Sequence, residues 1–388
     1  MTTPLRSPVA AAANDDRIGL FDLQRQRARL EADLKARIDA VLIHGQFILG
    51  PEVETLETRL ADYTGAAHVV AVSSGRDALM IALMAMGVQA GDAVFVPAFT
   101  FAATAGAVAS IGASPVFVDA DPATYDMDPE DLERAIAEVK AAGRLRPSVV
   151  MPVDLYGLPA DYATIGAIAA RHGMTVLSDA AQSMGGVYHN KRVGALAPIT
   201  ATSFYPTKPL GCYGDGGAIL TERADLADRV RMIRSHGRQG TGDAAMVLGM
   251  TGRLDTIQAA VLLVKLDVFD AELQRRRAIA RRYDAGLAGV VGTPVVPEDR
   301  DSAFAIYTVR TPARDRMRTL LDEAGIGTGL FYRLALHQHP AFRDYVGRSL
   351  PVSEQLASEV LALPLHPDLT DEEVDRVIAA VRDAAARL

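Results

Sequence analysis

The chain has 388 residues, with 40 Lys and Arg against 48 Asp and Glu and a net charge of -8. That acidic balance excludes a general nucleic-acid binder, because affinity for phosphate backbones needs a basic footprint. The single cysteine, Cys212, excludes a disulfide framework, a cysteine zinc site and an iron–sulfur cluster, and 49% hydrophobic residues with 32 Gly and 20 Pro suit a folded enzyme of about two domains. Met1 to Asp16 has one Arg and no apolar core of a signal peptide, so it reads as a disordered leader. A reducing cytoplasm is the simplest compartment for such a chain. Arg25 to Ile43 carries apolar residues at helical spacing, and Pro51 opens a second helix through Leu60. From His68 short apolar runs alternate with helical stretches: HVVAV, AVFVP, SPVFV, SVVMPV, MTVLSD, ATSFYP and GAIL. Helices are expected between them at Ala78–Met86, Pro129–Ala142 and Tyr162–Arg171. This alternation predicts an α/β domain with a mostly parallel sheet buried on both faces.

The uncharged stretch 93–118 is long enough for a membrane span. Pro97, Gly106, Gly112 and Pro115 interrupt it, and it reads instead as strand Ala93–Val96, helix Thr100–Ile111 and strand Pro115–Val118. After Asp225 the pattern turns helical. Leu254 to Phe269 is an apolar-rich helix, and the Arg-rich run Asp270 to Leu287 reads as a helix with one solvated face. From Ala305 the order is strand, helix Arg314–Ala324, a turn at Gly325, strand, an irregular segment and a last helix capped near Thr370. The division expected is a leader over 1–16, a large domain with N-terminal helices over 17–253, and a linking helix with a small α+β domain over 254–388.

Three segments carry chemistry. Ser73-Ser74-Gly75-Arg76-Asp77 ends a strand and begins a helix, where backbone N–H groups bind anions; the plain alternative is a strand–helix turn with a serine cap. Asp179 closes a buried strand, at the edge where open α/β sheets hold ligands; the alternative is a cap or a structural ion pair. Lys208 sits in a turn between an apolar strand and a Gly-rich one, where partial burial makes an amine nucleophilic; the alternative is a surface lysine. Gly214-Asp215-Gly216-Gly217 lacks the order of a phosphate-binding P-loop. Phosphate cradle, acid and lysine in that order are what pyridoxal phosphate (PLP) requires: donors for its phosphate, a carboxylate for its ring nitrogen and an amine for its aldehyde. Phe101 supplies an aromatic ring to stack on the pyridine.

The chain resembles the DegT/DnrJ/StrS family of sugar aminotransferases, fold-type I PLP enzymes. The resemblance runs from Phe21 to the C-terminus through FILGPEVETLE (47–57), SSGRDAL (73–79), VFVPAFTFAAT (94–104), VDLYGLPAD (153–161), SDAAQSMGG (178–186), TSFYPTKPLGCYGDGGAI (202–219), GMTGRLDTIQAAVL (249–262) and LPLHP (363–367). Within the family it is most similar to enzymes that aminate C3 of a UDP-linked 3-oxo sugar, notably UDP-2-acetamido-2-deoxy-3-oxo-glucuronate. The resemblance implies a fold-type I architecture, with a large domain built on a mostly parallel mixed sheet and a smaller α+β C-terminal domain. It implies an aminotransferase that moves an amino group from L-glutamate to a nucleotide-linked keto-sugar in ping-pong half-reactions. Lys208 then corresponds to the Schiff-base lysine and Asp179 to the acid at the ring nitrogen. Gln182 lies near the phenolic oxygen, Ser203 binds phosphate with Gly75 and Arg76, and Phe101 stacks. Thr251 occupies a cofactor-contacting position, and Arg253, Phe331, Tyr332 and Arg333 approach the sugar or cofactor, in some cases from the partner subunit. A homodimer with shared sites is implied.

Three positions depart from the family pattern. Arg76 stands where a threonine is usual, and a guanidinium there pairs with phosphate or with another anion. Thr251 replaces an asparagine, and Phe331-Tyr332-Arg333 replaces His-Tyr-Pro. The competing classes are a PLP-dependent sugar dehydratase, which typically lacks the lysine or adds an iron–sulfur cluster; a non-catalytic PLP-binding sensor or scaffold; and a nicotinamide dehydrogenase, for which no GxGxxG is present. His236 reads as near the site or structural. His337 and His339 form an HxH pair without a third metal ligand, Cys212 reads as a packing residue, and Asp154 contacts substrate or holds a turn.

Overall fold

The computed structural model describes Arg17–Leu388 apart from Thr241 and Val346, so the expected leader lies outside the described residues. Two short helices begin it, α1 (Leu23–Arg29) and α2 (Glu31–His44). The single helix expected over 25–43 is broken at Leu30, which leaves helical geometry at φ -103°. Side-chain ties pull α1 aside: Gln26 donates to Glu272, and Arg25 pairs with Glu373 at 2.7 Å. Helix α3 (Pro51–Thr64) starts on its proline and stops at Gly65 in the left-handed region.

The alternating segment follows: β1 (His68–Val72), α4 (Gly75–Ala85), β2 (Asp92–Pro97), α5 (Ala102–Ser110), β3 (Ser114–Val118), α6 (Pro129–Ala142), β4 (Arg146–Val150), α7 (Tyr162–Arg171) and β5 (Thr175–Asp179). The short hairpin β6 (Val187–Tyr188) and β7 (Lys191–Arg192) precedes β8 (Ile199–Ser203) and β9 (Gly217–Thr221). Seven strands form one sheet in the order β1-β9-β8-β5-β4-β2-β3. Neighbours from β8 to β3 are parallel, and β9 runs antiparallel to both β8 and β1. The expected mostly parallel mixed sheet is therefore present.

Both faces of that sheet are covered. In β1, Val70 and Val72 pack with α4 and α8 (Ala224–Arg234), while Val69 and Ala71 face α3 and the long helix α9 (Thr256–Leu287). This two-residue alternation of buried contacts explains the continuous apolar runs, and each fully buried Val or Leu contributes roughly 1.5–3 kcal/mol. Helix α9 joins the two helices expected over 254–287. Its first half packs through Leu262, Leu266 and Phe269 against the sheet layer, and its second half through Ile279, Tyr283 and Leu287 against the C-terminal elements. Its arginines do more than face solvent. Arg276 is buried and donates to the carbonyls of Phe304 and Leu365, and Arg277 donates to those of Ser302 and Gly185.

The C-terminal part holds β10 (Arg300–Asp301), β11 (Tyr307–Arg310), α10 (Arg314–Glu323), α11 (Pro351–Glu359), β12 (Val360–Leu363) and α12 (Asp371–Ala385). Strand β10 pairs with β6, and β11 pairs antiparallel with β12. The strand expected just after Gly325 is absent. Ile326 and Gly329 make only single bridges, to Ile18 and Ala362. A Cβ at Gly329 would lie 2.6 Å from the Phe331 ring, a close approach that glycine alone accommodates. The partner of β11 comes instead from 360–363, within what reads in sequence as irregular. Thr370 caps α12 with a reciprocal bond to Glu373.

Candidate active site

The parallel strands end on one edge, at Val72, Pro97, Val118, Val150, Asp179 and Ser203, and the antiparallel β9 begins there at Gly217. Open α/β sheets bind ligands at this edge. A cavity of about 480 Å³ opens on it, walled by the turn before α4, the start of α5, the segment after β5, the Ser203–Asp215 loop and the C-terminal residues Phe331 and Tyr332.

Ser74 caps α4 by accepting from Asp77 N–H at 3.0 Å. The N–H groups of the first helical turn have no intrahelical partner. Glycine is required at position 75 by crowding: a Cβ there would stand 2.5 Å from Ser203 Cβ. The helix start and the end of β8 thus meet in one concave wall of backbone donors and a hydroxyl. Arg76 lines the same wall, with its guanidinium donating to Ser110 Oγ at 2.7 Å.

Asp179 is buried at the end of β5. Thr104 Oγ1 donates to its Oδ2 at 2.8 Å, and Ala181 N–H approaches Oδ1 at 3.3 Å. Burial lifts this carboxyl above the usual carboxylate range, while Thr104, Ala181 and the charge of Lys208 pull it back. Burial lowers Lys208 to about 8, and Asp179 opposes that fall. The charge of each group thus acts on the other. Gln182 Oε1 accepts from Tyr156 N–H at 2.9 Å, and its Nε2 donates to Tyr332 Oη at 3.4 Å. The Tyr332 ring lies 5.8 Å from that of Phe101, which is 56% exposed and free to receive a second ring. Tyr156 Oη donates to the Phe331 carbonyl and ties this wall to the segment after β4.

The structure brings Gly75, Arg76, Phe101, Asp179, Gln182, Ser203, Lys208, Phe331 and Tyr332 to one cavity. Thr251, Arg253 and Arg333 stand outside its walls. Thr251 is exposed, with Oγ1 3.5 Å from His236 Nε2; Arg253 bridges Val72 through its backbone, and Arg333 is exposed. Sequence reasoning passed over Thr104, although it lies one helical turn beyond Phe101 on α5, a spacing that puts the two on one face. It also passed over Phe21, Tyr205, Thr207 and Asp215, which line the cavity. Tyr205 and Thr207 flank the lysine in sequence; Phe21, far from every motif, gave no signal. Cys212 is buried, with Sγ donating to the Phe204 carbonyl, and burial raises its thiol to about 11. His337 Nε2 lies 2.8 Å from Glu354, and no cluster of three metal-ligating side chains occurs among the described residues. Nor is any helix among them long and apolar enough to cross a membrane.

The wall where no Cβ fits, the buried acid and the lowered lysine are the donor set that PLP demands at its phosphate, ring nitrogen and aldehyde. The fold and cavity thus define an α/β enzyme of the PLP-dependent transferases. A model of the DegT/DnrJ/EryC1/StrS aminotransferase family matches residues 28–382, and the chain belongs to that family. It is 44% identical over 365 residues to the UDP-2-acetamido-2-deoxy-3-oxo-D-glucuronate aminotransferase of Pseudomonas aeruginosa, with 94% of this chain and 99% of that protein covered. A crystal structure of a DegT DnrJ EryC1 StrS aminotransferase from Brucella abortus superposes with a TM-score of 0.93 at 47% identity, covering 94% of this chain and 99% of that one. The Bacillus subtilis NtdA structure, solved with bound PMP, superposes with a TM-score of 0.88 at 31% identity, covering 96% and 86%. The protein is an aminotransferase, and its cofactor is pyridoxal phosphate.

Proposed function

We propose that this enzyme transfers the amino group of L-glutamate to a nucleotide-linked keto-sugar, a UDP-linked 3-oxo sugar, in two half-reactions. The observation that carries the reading is the Asp179–Lys208 pair facing one cavity whose wall is the Gly75–Ser203 contact. The likeness to an aminotransferase of a UDP-linked 3-oxo sugar supports the substrate class.

Bound in the cavity, PLP supplies an aldehyde that condenses with amines and a ring that withdraws electrons from the carbon carrying the nitrogen. The first-turn N–H groups of α4, Ser203 Oγ and the Arg76 guanidinium would hold its phosphate. Asp179 would hold the ring nitrogen protonated, with Thr104 and Ala181 fixing the carboxylate. Phe101 and Gln182 would orient the ring from its face and its phenolic edge. Lys208 Nζ supplies the amine, and a lysine lowered to about 8 gives up and takes back a proton near neutral pH. Phe331 and Tyr332 complete the cavity wall. The 2-oxo acid leaves before the sugar enters the same space.

A homodimer fits this reading. Leu42, Ile43 and Phe47–Leu49 lie exposed around the α2–α3 connection, and Met246 and Leu248 are 62% and 87% exposed. Apolar side chains left in water at this density mark an interface. Thr251 and Arg253, outside the cavity of their own chain, would then serve the partner's. The cytoplasm, where nucleotide sugars are made, is the matching compartment.

The test is a half-reaction screen. Protein loaded with pyridoxamine phosphate is mixed with UDP- and dTDP-linked 3-oxo and 4-oxo sugars, and the return of the cofactor's visible band is followed. A response to UDP-linked 3-oxo sugars is expected; a response to 4-oxo sugars alone overturns the substrate class.

A further inference from the structure

Asp154 lies one connection away from the site, on the segment that follows β4. Its side chain is fully buried. Its backbone N–H donates to the Asp179 carbonyl at 3.1 Å, and the neighbouring Val153 bridges Asp179 in parallel register. The carboxylate is saturated with donors. Oδ1 accepts from Ala160 N–H at 2.9 Å and from Tyr162 Oη at 2.7 Å, and Oδ2 accepts from Ser183 Oγ at 2.5 Å. Tyr162 Oη also lies 2.5 Å from Ser178 Oγ.

An ionised carboxylate only accepts, so the protons have a fixed polarity. Tyr162 spends its single proton on Asp154 and therefore accepts from Ser178. Both ends of this chain lie on the segment that carries the proposed acid: Ser178 immediately precedes Asp179, and Ser183 immediately follows Gln182. The second anchor of the same segment is the Tyr156 N–H on Gln182, two residues after Asp154. One buried anion thus clamps the segment 178–183 at both ends.

We propose that Asp154 is a positioning residue for the cofactor: it fixes the 178–183 turn that presents Asp179 and Gln182, and its buried negative charge favours the protonated form of the cofactor held there. The inference rests on the assignment of Asp179 and Lys208 above. Other charged groups lie near Asp154. Asp126 is buried beside it with Arg300 Nη1 at 3.6 Å, and Arg300 also stands 3.9 Å from Asp161. Asp161 accepts from Tyr188 Oη at 3.0 Å. Asp126 itself is driven toward its neutral form by burial and by Asp154. Burial lifts Asp154 to about 6 against its three donors, so it is ionised at pH 7.5. The remaining neighbour of like charge is Asp179, whose partners are Thr104 and Lys208.

The experiment compares wild-type, Asp154→Asn and Ser183→Ala full-length protein, measuring the Kd of the stripped protein for PLP and the pH midpoint of the bound cofactor's visible band. Asp154→Asn is expected to weaken PLP at least about fivefold by freeing the 178–183 turn, and to move the midpoint down by about 0.5–1 pH unit because a buried negative charge near the cofactor is lost. Ser183→Ala keeps the anion and removes one anchor, so it is expected to weaken PLP several-fold with the wild-type midpoint. An Asp154→Asn midpoint equal to wild type overturns the electrostatic role, and wild-type affinity in Ser183→Ala overturns the positioning role. If Asp154→Asn fails to fold, Ser183→Ala decides the positioning role and Asp154→Ser, smaller and uncharged, takes its place in the midpoint measurement, where a wild-type midpoint overturns the electrostatic role. Wild-type protein that takes up no PLP overturns the site assignment itself, a result distinct from both.

Discussion

Lys208 is the residue on which the proposed chemistry turns, and its environment gives a signed expectation. Burial lowers its amine to about 8, so the neutral, nucleophilic form grows as pH rises through that value. The rate at which stripped enzyme captures PLP should therefore climb between about pH 7 and 9 and then level off, as followed by stopped-flow absorbance. Lys208→Ala should lose this phase and lower glutamate-dependent turnover by at least about a thousandfold, in keeping with removal of both a nucleophile and a proton carrier. A flat capture profile in the wild type would remove the lysine from the proposed role. Gly75 makes a second expectation at the same scale. The 2.5 Å approach to Ser203 leaves no space for a methyl group, so Gly75→Ala should cost about 1–3 kcal/mol of stability by overpacking and weaken PLP at least tenfold. Urea unfolding and a cofactor titration measure the two separately. Both residues stand out in sequence, since a lone lysine and a glycine at a strand–helix turn carry their own signal. Thr104 does not: a hydroxyl inside a small-residue helix becomes meaningful only when the fold sets it 2.8 Å from Asp179.

Elements show a different limit. The bounds expected for α6 and α7 match the structure, where Asp128 and Asp161 accept from first-turn N–H groups, so local chemistry decides where each helix starts. The break between α1 and α2 and the placement of β12 are set by distant partners, Glu272 and Glu373 for the first and β11 for the second. No local pattern reports those contacts. The junction between α9, α12 and the LPLHP segment offers a pH test. His366 is buried beside Arg276, and burial first, then that guanidinium, lowers it from 6.5 to about 4. Between those values the unfolded chain binds a proton that the folded chain refuses, so stability falls as pH drops from 6.5 toward 4. The loss should reach roughly 2–3 kcal/mol. Urea midpoints at pH 7, 5.5 and 4.5 read the fall, and His366→Asn should remove its share of the slope; an unchanged slope in that variant would place the proton elsewhere.

At the scale of the whole molecule, the exposed Leu42–Leu49 and Met246–Leu248 surfaces call for a cover. The wild-type protein should sediment at twice the mass of one chain, and Leu248→Asp, placing a charge where 87% of the side chain now meets solvent, should shift it toward monomer with loss of glutamate-dependent turnover. Sedimentation velocity at micromolar concentration checks both; a wild-type monomer with full activity would end the shared-site reading.

The alternation of buried strands and helices, and with it the α/β class, is legible in the bare chain, because periodicity and burial on both sheet faces are written in the order of side chains. The sequence also offers a candidate cradle, acid and lysine, which point to PLP through their joint order and not through any one segment alone. The tertiary structure decided the rest: that β9 runs against its neighbours, that Arg276 and Arg277 clamp carbonyls instead of facing water, that Phe331 and Tyr332 close the cavity from the far end of the chain, and that Thr251 and Arg253 stand outside it. Each of these depends on contacts between residues tens to hundreds of positions apart, and such contacts exist only once the chain has folded.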